Sequence, residues 1–372
     1  MKAICEREKL LHVFQTAASV VPTRSPKPIL QNLKLEVTPE AATLIGTDME
    51  IGIRMDVPGF IIEKPGDAVL PISRFGSILR ESSDEKLSLQ SDGRKTLVRG
   101  DRSEFQLPSE NPDEFPNVVA FEETKYHELP AVFFREIVRR TVFATDNESS
   151  RYALSGVLIE LSSSGITAVA TDGRRLARQE GPAKSVGGHL TGEKMTIIPT
   201  RAMQLIERAI ADNEENILLA ARENDVLVKS SRATIYSRLV EGRFPKWRDV
   251  FPRHDSTAKI EFSVGPFHAS VRQAMIVTSE ERRGVEFTFG EGKLTLAGHG
   301  AEYGESHVEL PIAYDGPNRD VMLDPRFVND FLRVLDPETN ITMEIRDGET
   351  AVVCTTQDGY SYVIMPLARD QK

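Results

Sequence analysis

Leu33-Lys34-Leu35-Glu36-Val37 alternates apolar and polar residues, the pattern of a strand with one buried face. It returns as Val157-Leu158-Ile159-Glu160-Leu161, 124 residues on, and again as Val285-Glu286-Phe287-Thr288-Phe289, a further 128 on. Other segments keep step. Leu44-Ile45-Gly46-Thr47-Asp48 matches Ala168-Val169-Ala170-Thr171-Asp172, with Leu294-Thr295-Leu296-Ala297-Gly298 in third place. A helical pattern ends in Ser77-Ile78-Leu79-Arg80, then Leu205-Ile206-Glu207-Arg208, then Asp330-Phe331-Leu332-Arg333. An earlier one carries Leu10 and Phe14, then Phe134 and Val138, then Phe267 and Val271. Four matches in one order at nearly one period predict three homologous domains, 1–125, 126–253 and 254–372. The joints follow Phe115-Pro116 and Phe251-Pro252. Two helices among many short strands make each domain α+β.

The chain has 372 residues, a net charge of −10 and a pI near 5.4, which by itself argues against a nucleic-acid binder. Layout argues differently. In 72–81 the apolar stripe is Ile72, Phe75, Ile78 and Leu79, leaving Arg74, Ser77 and Arg80 outside. In 200–211 Met203, Ile206 and Ile210 leave out Arg201, Gln204 and Arg208. In 326–335 Phe327, Val328, Phe331 and Leu332 leave out Arg326, Asn329 and Arg333. The earlier helices carry Arg7, Lys9 and His12, then Arg135, Arg139 and Arg140, then His268 and Arg272. A solvated helix face accounts for any one of these. Recurrence at Arg80, Arg208 and Arg333 points to phosphate contacts that do not read sequence.

No run approaches the ~20 apolar residues of a membrane helix, and the N-terminus is charged from Lys2 onward. Cys5 and Cys354 stand in no metal or redox spacing. The expectation is a cytoplasmic protein without disulfides. Asp48 and Asp172 invite comparison with paired catalytic carboxylates, but their repeat equivalence puts them in different domains, so turn closure is expected of both. The seven histidines are scattered, and Gly298-His299-Gly300-Ala301-Glu302-Tyr303-Gly304 has the wrong spacing for a dinucleotide loop. No catalytic activity, cofactor or metal is expected.

Seven motifs, spread over essentially the whole chain, resemble the bacterial replicative sliding clamps, the beta-subunit family of DNA polymerase III. They are Pro28-Ile29-Leu30-Gln31-Asn32-Leu33, Gly46-Thr47-Asp48-Met49-Glu50, Asp113-Glu114-Phe115-Pro116-Asn117, Arg151-Tyr152-Ala153-Leu154-Ser155-Gly156, Ala170-Thr171-Asp172-Gly173-Arg174-Arg175-Leu176, Leu239-Val240-Glu241-Gly242-Arg243-Phe244-Pro245 and Tyr362-Val363-Ile364-Met365-Pro366-Leu367. The resemblance implies a head-to-tail homodimer, a pseudo-sixfold ring with helices lining a central hole and antiparallel sheets outside. It would encircle double-stranded DNA as a processivity factor for the replicative polymerase.

Phe105 and Leu107 would meet Ile276 and Val277 of the other copy. A cleft between domains 2 and 3 would take short linear peptides from polymerase, clamp loader and repair proteins. Its residues would be Leu154, Thr171, Gly173, Arg174, Arg175, Leu176, Pro245, Val250, Val363, Met365, Pro366 and Leu367. Leu154, Leu176 and Val363 also read as plain core. DNA would meet Arg24, Arg74, Arg80, Arg139, Arg201, Arg208, Arg272, Arg326 and Arg333. The chain departs from the family at Ala153, where an aromatic is often found, and at Asp249, where a basic residue is. It departs also at Glu148, in a loop expected to touch DNA, and at the extension 368–372. The rival readings are a monomeric repeat scaffold and an enzyme built on Asp48 and Asp172.

Overall fold

A computed structural model describes residues 1–146, 153–192, 194–251, 257–279, 282–300 and 304–368. Among them lie six α-helices: α1 Arg7–Ala18, α2 Ile72–Glu81, α3 Ala131–Thr141, α4 Thr200–Ala209, α5 Val264–Ala274 and α6 Pro325–Leu332. The rest is short antiparallel strands, so the fold is α+β. No helix of the described residues is long and apolar enough to cross a membrane.

The helices form where the apolar spacing predicts. In α1 the buried residues are Leu10, Val13, Phe14 and Ala17, one face of a 3.6-residue period. In α2 they are Phe75, Gly76, Ile78 and Leu79. Phe14 and Phe75 meet at 5.4 Å between ring centroids, and each ring so buried contributes about 1.5–3 kcal/mol. A side chain at Gly76 would lie 3.1 Å from the Phe14 ring, so glycine lets the two helices close. Two ends fall short of expectation. α4 stops at Ala209, where Ile210 turns extended, and α6 stops at Leu332, with Arg333 as its C-cap. Phe327, expected in the apolar stripe of α6, is only half-buried.

The chain forms two compact units, residues 1–134, 162–164 and 183–239 in one, and 135–161, 165–182 and 240–372 in the other. They cut across the thirds of the repeat because the sheets do. In the first unit Ile51–Asp56 of the first repeat pairs with Ala233–Arg238 of the second, Ile53 opposite Ile235. In the second unit Arg175–Pro182 of the second repeat pairs with Tyr360–Ile364 of the third, Leu176 opposite Val363. The same junction is thus made twice. Each unit also holds a sheet of its own with an open edge, ending at Glu104–Pro108 in the first and at Gly304–Pro311 in the second.

Candidate functional site

All twelve residues assigned to the cleft lie in the second unit. The pairing of Arg175–Pro182 with Tyr360–Ile364 carries the chain end alongside the turn 172–174: the Met365 N–H donates to the Arg174 carbonyl at 2.9 Å. Further along, the Leu367 N–H donates to the Met322 carbonyl at 2.8 Å. The surface there is Met365 (41% exposed), Gly173, Arg174 and Pro245, with Val250, Pro366 and Leu367 half-buried. Leu154, Thr171, Leu176 and Val363 are between 1% and 6% exposed. Leu154, Leu176 and Val363 are packed as core residues are, and Thr171 is buried with them, a floor beneath the candidate surface. Gly284 and Met322, which the motifs did not mark, belong here too: a Cβ on Gly284 would lie 2.6 Å from Met322 Sδ and 3.4 Å from Leu367 Cδ1.

Arg175, assigned to the cleft, is tied into its own chain. Its guanidinium donates to Asp172 at 3.0 Å, to Asp330 at 2.6 Å and to the Phe143 carbonyl at 2.7 Å. It also lies over the rings of Phe143 and Phe327, 5.3 and 4.6 Å from their centroids. It is a brace between the turn and α6. Ala153 is fully buried, with Gly242 packed against it, so it presents nothing to a ligand. Asp249 is exposed. Glu148, Arg151, Tyr152 and 369–372 lie outside the described residues.

Of the nine arginines assigned to DNA, all but the half-buried Arg326 are exposed: Arg24, Arg74, Arg80, Arg139, Arg201, Arg208, Arg272 and Arg333. Among the described residues Arg24, Arg74, Arg208 and Arg272 form no ion pair. Arg80 bonds Ser77 at 3.3 Å, Arg139 sits 3.8 Å from Glu136, and Arg333 is 3.3 Å from Asp330. These exposed contacts are weak enough to exchange for phosphate. Arg201 and Arg326 are more committed. Arg201 bonds Asp48 at 2.6 Å and the Val20 carbonyl at 2.7 Å, and Arg326 grips Asp324 with two bonds.

Two arginines of the supposed polar faces are structural. Arg140 is buried, bonded to Gln179 and Asp358 at 2.8 Å, with Tyr360 beneath it. Helical spacing shows which side a residue takes but not that a buried acceptor waits there. Arg7 donates to the Leu79 carbonyl at 2.9 Å, capping the end of α2.

At the expected interface Phe105 is 38% and Ile276 75% exposed, while Leu107 is already buried within its own chain and Val277 is half-buried. Asp48 and Asp172 each accept two backbone N–H groups, from Glu50 and Ile51 and from Arg174 and Arg175, and so close turns. Burial pushes both thiols, Cys5 and Cys354, up to about 12, far from the reactive range.

Three models of one family match the chain in order: the N-terminal domain of the DNA polymerase III beta subunit over residues 1–119, the central domain over 128–246 and the C-terminal domain over 248–368. The beta sliding clamp of Escherichia coli K12 is 28% identical over 370 residues, 99% of this chain and 100% of that one. That of Chlamydia pneumoniae is 27% identical over 368 residues, 99% of each. The crystal structure of the DNA polymerase sliding clamp from Bacillus subtilis superposes with a TM-score of 0.91 at 22% identity, covering 99% of both chains. The DNA polymerase III beta subunit from Pseudomonas aeruginosa gives 0.88 at 24%, covering 99% of this chain and 100% of that one. By its sequence and its fold, the chain belongs to the DNA polymerase III beta subunit family.

Proposed function

We propose that this protein is a DNA sliding clamp with no catalysis of its own. Two copies close head to tail around duplex DNA in the cytoplasm and tether the replicative polymerase, the clamp loader and repair proteins. The observation that carries the reading is the exposed arginine at the end of the second helix in every repeat, Arg80, Arg208 and Arg333, in a chain of net charge −10. Phosphate contacts from such positions hold DNA without fixing the protein to a sequence. The three sequence domains, 1–125, 126–253 and 254–372, are the natural segments of the ring. The open edges at Glu104–Pro108 and Gly304–Pro311, with Phe105 and Ile276 exposed, offer the two ends that closure needs.

Encirclement is tested by loading the protein on nicked circular DNA, washing at high salt and then linearising. Retention on circles and release from linear DNA is expected, since ordinary phosphate binding fades steeply with salt. Loss in the wash, or retention on DNA with free ends, refutes the ring. Native mass separates the ring from a monomeric scaffold.

We also infer that the surface around Met365 takes short apolar peptides from these partners. A methionine suits a site that must accept several ligands. Met365→Ala should weaken binding of a labelled peptide from the polymerase tail about tenfold, the loss of one interface anchor, with the dimer intact. Unchanged affinity refutes the cleft. Met365 is the sharper probe than Leu176, whose truncation opens the core.

A further inference from the structure

We propose that Trp247 is a positioning residue for the peptide cleft, holding Pro245 and Val250 in place from behind without touching the ligand. The inference rests on the cleft reading above. The linker segment 241–251, at the end of the second repeat, leads into the third and carries both residues, Pro245 exposed and Val250 half-buried. Trp247, between them, is 4% exposed. Its main-chain N–H donates to the Pro245 carbonyl at 2.8 Å, and it opens the short helical turn Trp247–Val250, in which the Asp249 N–H reaches the Lys246 carbonyl at 3.0 Å. A shift of the indole therefore moves Pro245 and Val250 together.

The indole is gripped on several sides. The Arg248 guanidinium lies 4.2 Å from its ring centroid and that of Arg178 5.8 Å, both within cation–π range. The indole N–H points to Glu160 Oε1 at 3.5 Å. Glu160 in turn takes two bonds from Arg248, at 3.1 and 2.6 Å. Arg178 also covers the ring of Phe251, 4.9 Å from its centroid, and Phe251 meets Trp247 edge-on at 6.1 Å.

The first linker shows that the grip is not a general need of the fold. Glu36 and Arg54 stand 124 residues before Glu160 and Arg178. There Arg54 bonds Glu36 directly at 2.6 Å and reaches the linker only through the Val118 carbonyl at 3.4 Å. Val118 stands three residues after Phe115, as Trp247 stands three after Phe244, and it is no aromatic. In the second linker the matched Glu and Arg are drawn apart and both face the tryptophan. The linker that carries the candidate peptide residues is the one gripped through an aromatic ring by charged partners, whereas Val118 is simply packed in an apolar cluster with Phe115, and holding a site in its bound shape raises affinity by lowering the ordering cost.

The test is a double-mutant cycle on the full-length dimer, with Trp247→Leu, Val250→Ala and both, read by anisotropy of the labelled polymerase-tail peptide. Trp247→Leu should weaken binding about tenfold, and much of that loss should vanish when Val250 is already alanine. Trp247→Phe should recover most of the affinity. Effects that multiply independently would make Trp247 a structural residue only and overturn the proposal. A Val250→Ala variant that binds as wild type would instead sink the cleft. If Trp247→Leu fails to give a folded dimer, Glu160→Gln, which loosens Arg248 and the indole N–H, enters the same cycle with about a threefold loss expected. Trp247 is the single tryptophan, so iodide quenching reads it directly. It should be shielded equally with and without peptide; protection appearing only on binding would make it a contact residue and overturn the proposal.

Discussion

The chain makes one turn twice and finishes it in two ways. After Thr47 and after Thr171 the local bonds are the same. The threonine hydroxyl donates to a carbonyl four residues on, that of Ile51 at 2.8 Å and that of Arg175 at 2.6 Å. The aspartate that follows accepts two N–H groups in each case. The difference lies at the two residues that local geometry leaves open. The left-handed position is Met49 (φ 81°) in one turn and Gly173 (φ 85°) in the other. The closing residue is buried Ile51 in one and Arg175 in the other. The next repeat's second helix is then tied by opposite charges. Arg201 on α4 reaches back to Asp48, whereas Arg175 reaches forward to Asp330 on α6. One turn is a lid on a core; its copy is a charged brace beneath a candidate binding surface. Duplication kept the hydrogen-bond frame and freed the positions facing outward from it.

The largest contrast is in what the two braces are worth. The Arg175 side chain is 11% exposed, and its partners Asp172 and Asp330 are 18% and 20%. Arg175→Ala takes the guanidinium from two largely buried carboxylates, leaving Asp172 its two backbone N–H groups and Asp330 only the exposed Arg333, and should cost about 2–3 kcal/mol in urea unfolding. Arg201 is 51% exposed, so water and salt already weaken its pair, and Arg201→Ala should cost no more than about 1 kcal/mol. Equal losses would remove the distinction.

Next comes the left-handed position. Nothing lies within 4 Å of where a Cβ would stand on Gly173, so Gly173→Ala meets only the backbone penalty, about 1–2 kcal/mol. Met49 already carries that strain. Met49→Gly should therefore be neutral or stabilising by up to about 1 kcal/mol, the reverse sign at the matched site. Thermal melts of the two variants decide it, and a shared sign would show that the turns differ in more than this residue.

Much of this was legible in the sequence. Strands, helices and the Thr-Asp turns follow from period and from side chains that bond their own backbone, both local properties. The polar side of each helix was legible too. What those arginines hold was not, because partners such as Gln179 and Asp358 for Arg140 lie far along the chain. The cleft residues were named through family resemblance. Their division into floor and surface came only with the pairing of Leu176 opposite Val363, which spacing cannot give. The grip on Trp247 was hidden in the same way, since Glu36 and Glu160 look alike in sequence and differ only in what they face.

The smallest contrast lies four residues before the first helix of each repeat, at Ala3, His127 and Ile260, all 0–1% exposed. Only the middle repeat titrates there. His127 Nε2 lies 2.7 Å from the Ser162 carbonyl, which can only accept, so hydrogen-bond bookkeeping puts a proton on Nε2 and leaves Nδ1 bare. His189 Nδ1, 2.7 Å away, must then donate, and its Nε2 takes the Ala221 N–H at 3.1 Å. His189 Nε2 also lies 3.0 Å from the Ala221 carbonyl, so both rings are held by backbone groups at each end of the pair. Burial, aided by the neighbouring His189, holds the His127 pKa below its ordinary value. The unfolded chain therefore binds the proton first as pH falls. The contribution of neutral His127 is full above about pH 6.5, the free histidine value, and is lost on acidification through the lowered one. For one proton the slope is at most about 1.4 kcal/mol per pH unit. Urea unfolding between pH 7.5 and 5.5 should show it in the native chain, and a His127→Ala/His189→Ala variant, less stable throughout, should be flatter over that window. A slope that survives in the variant would assign the acid sensitivity to other groups and leave the three matched positions equivalent.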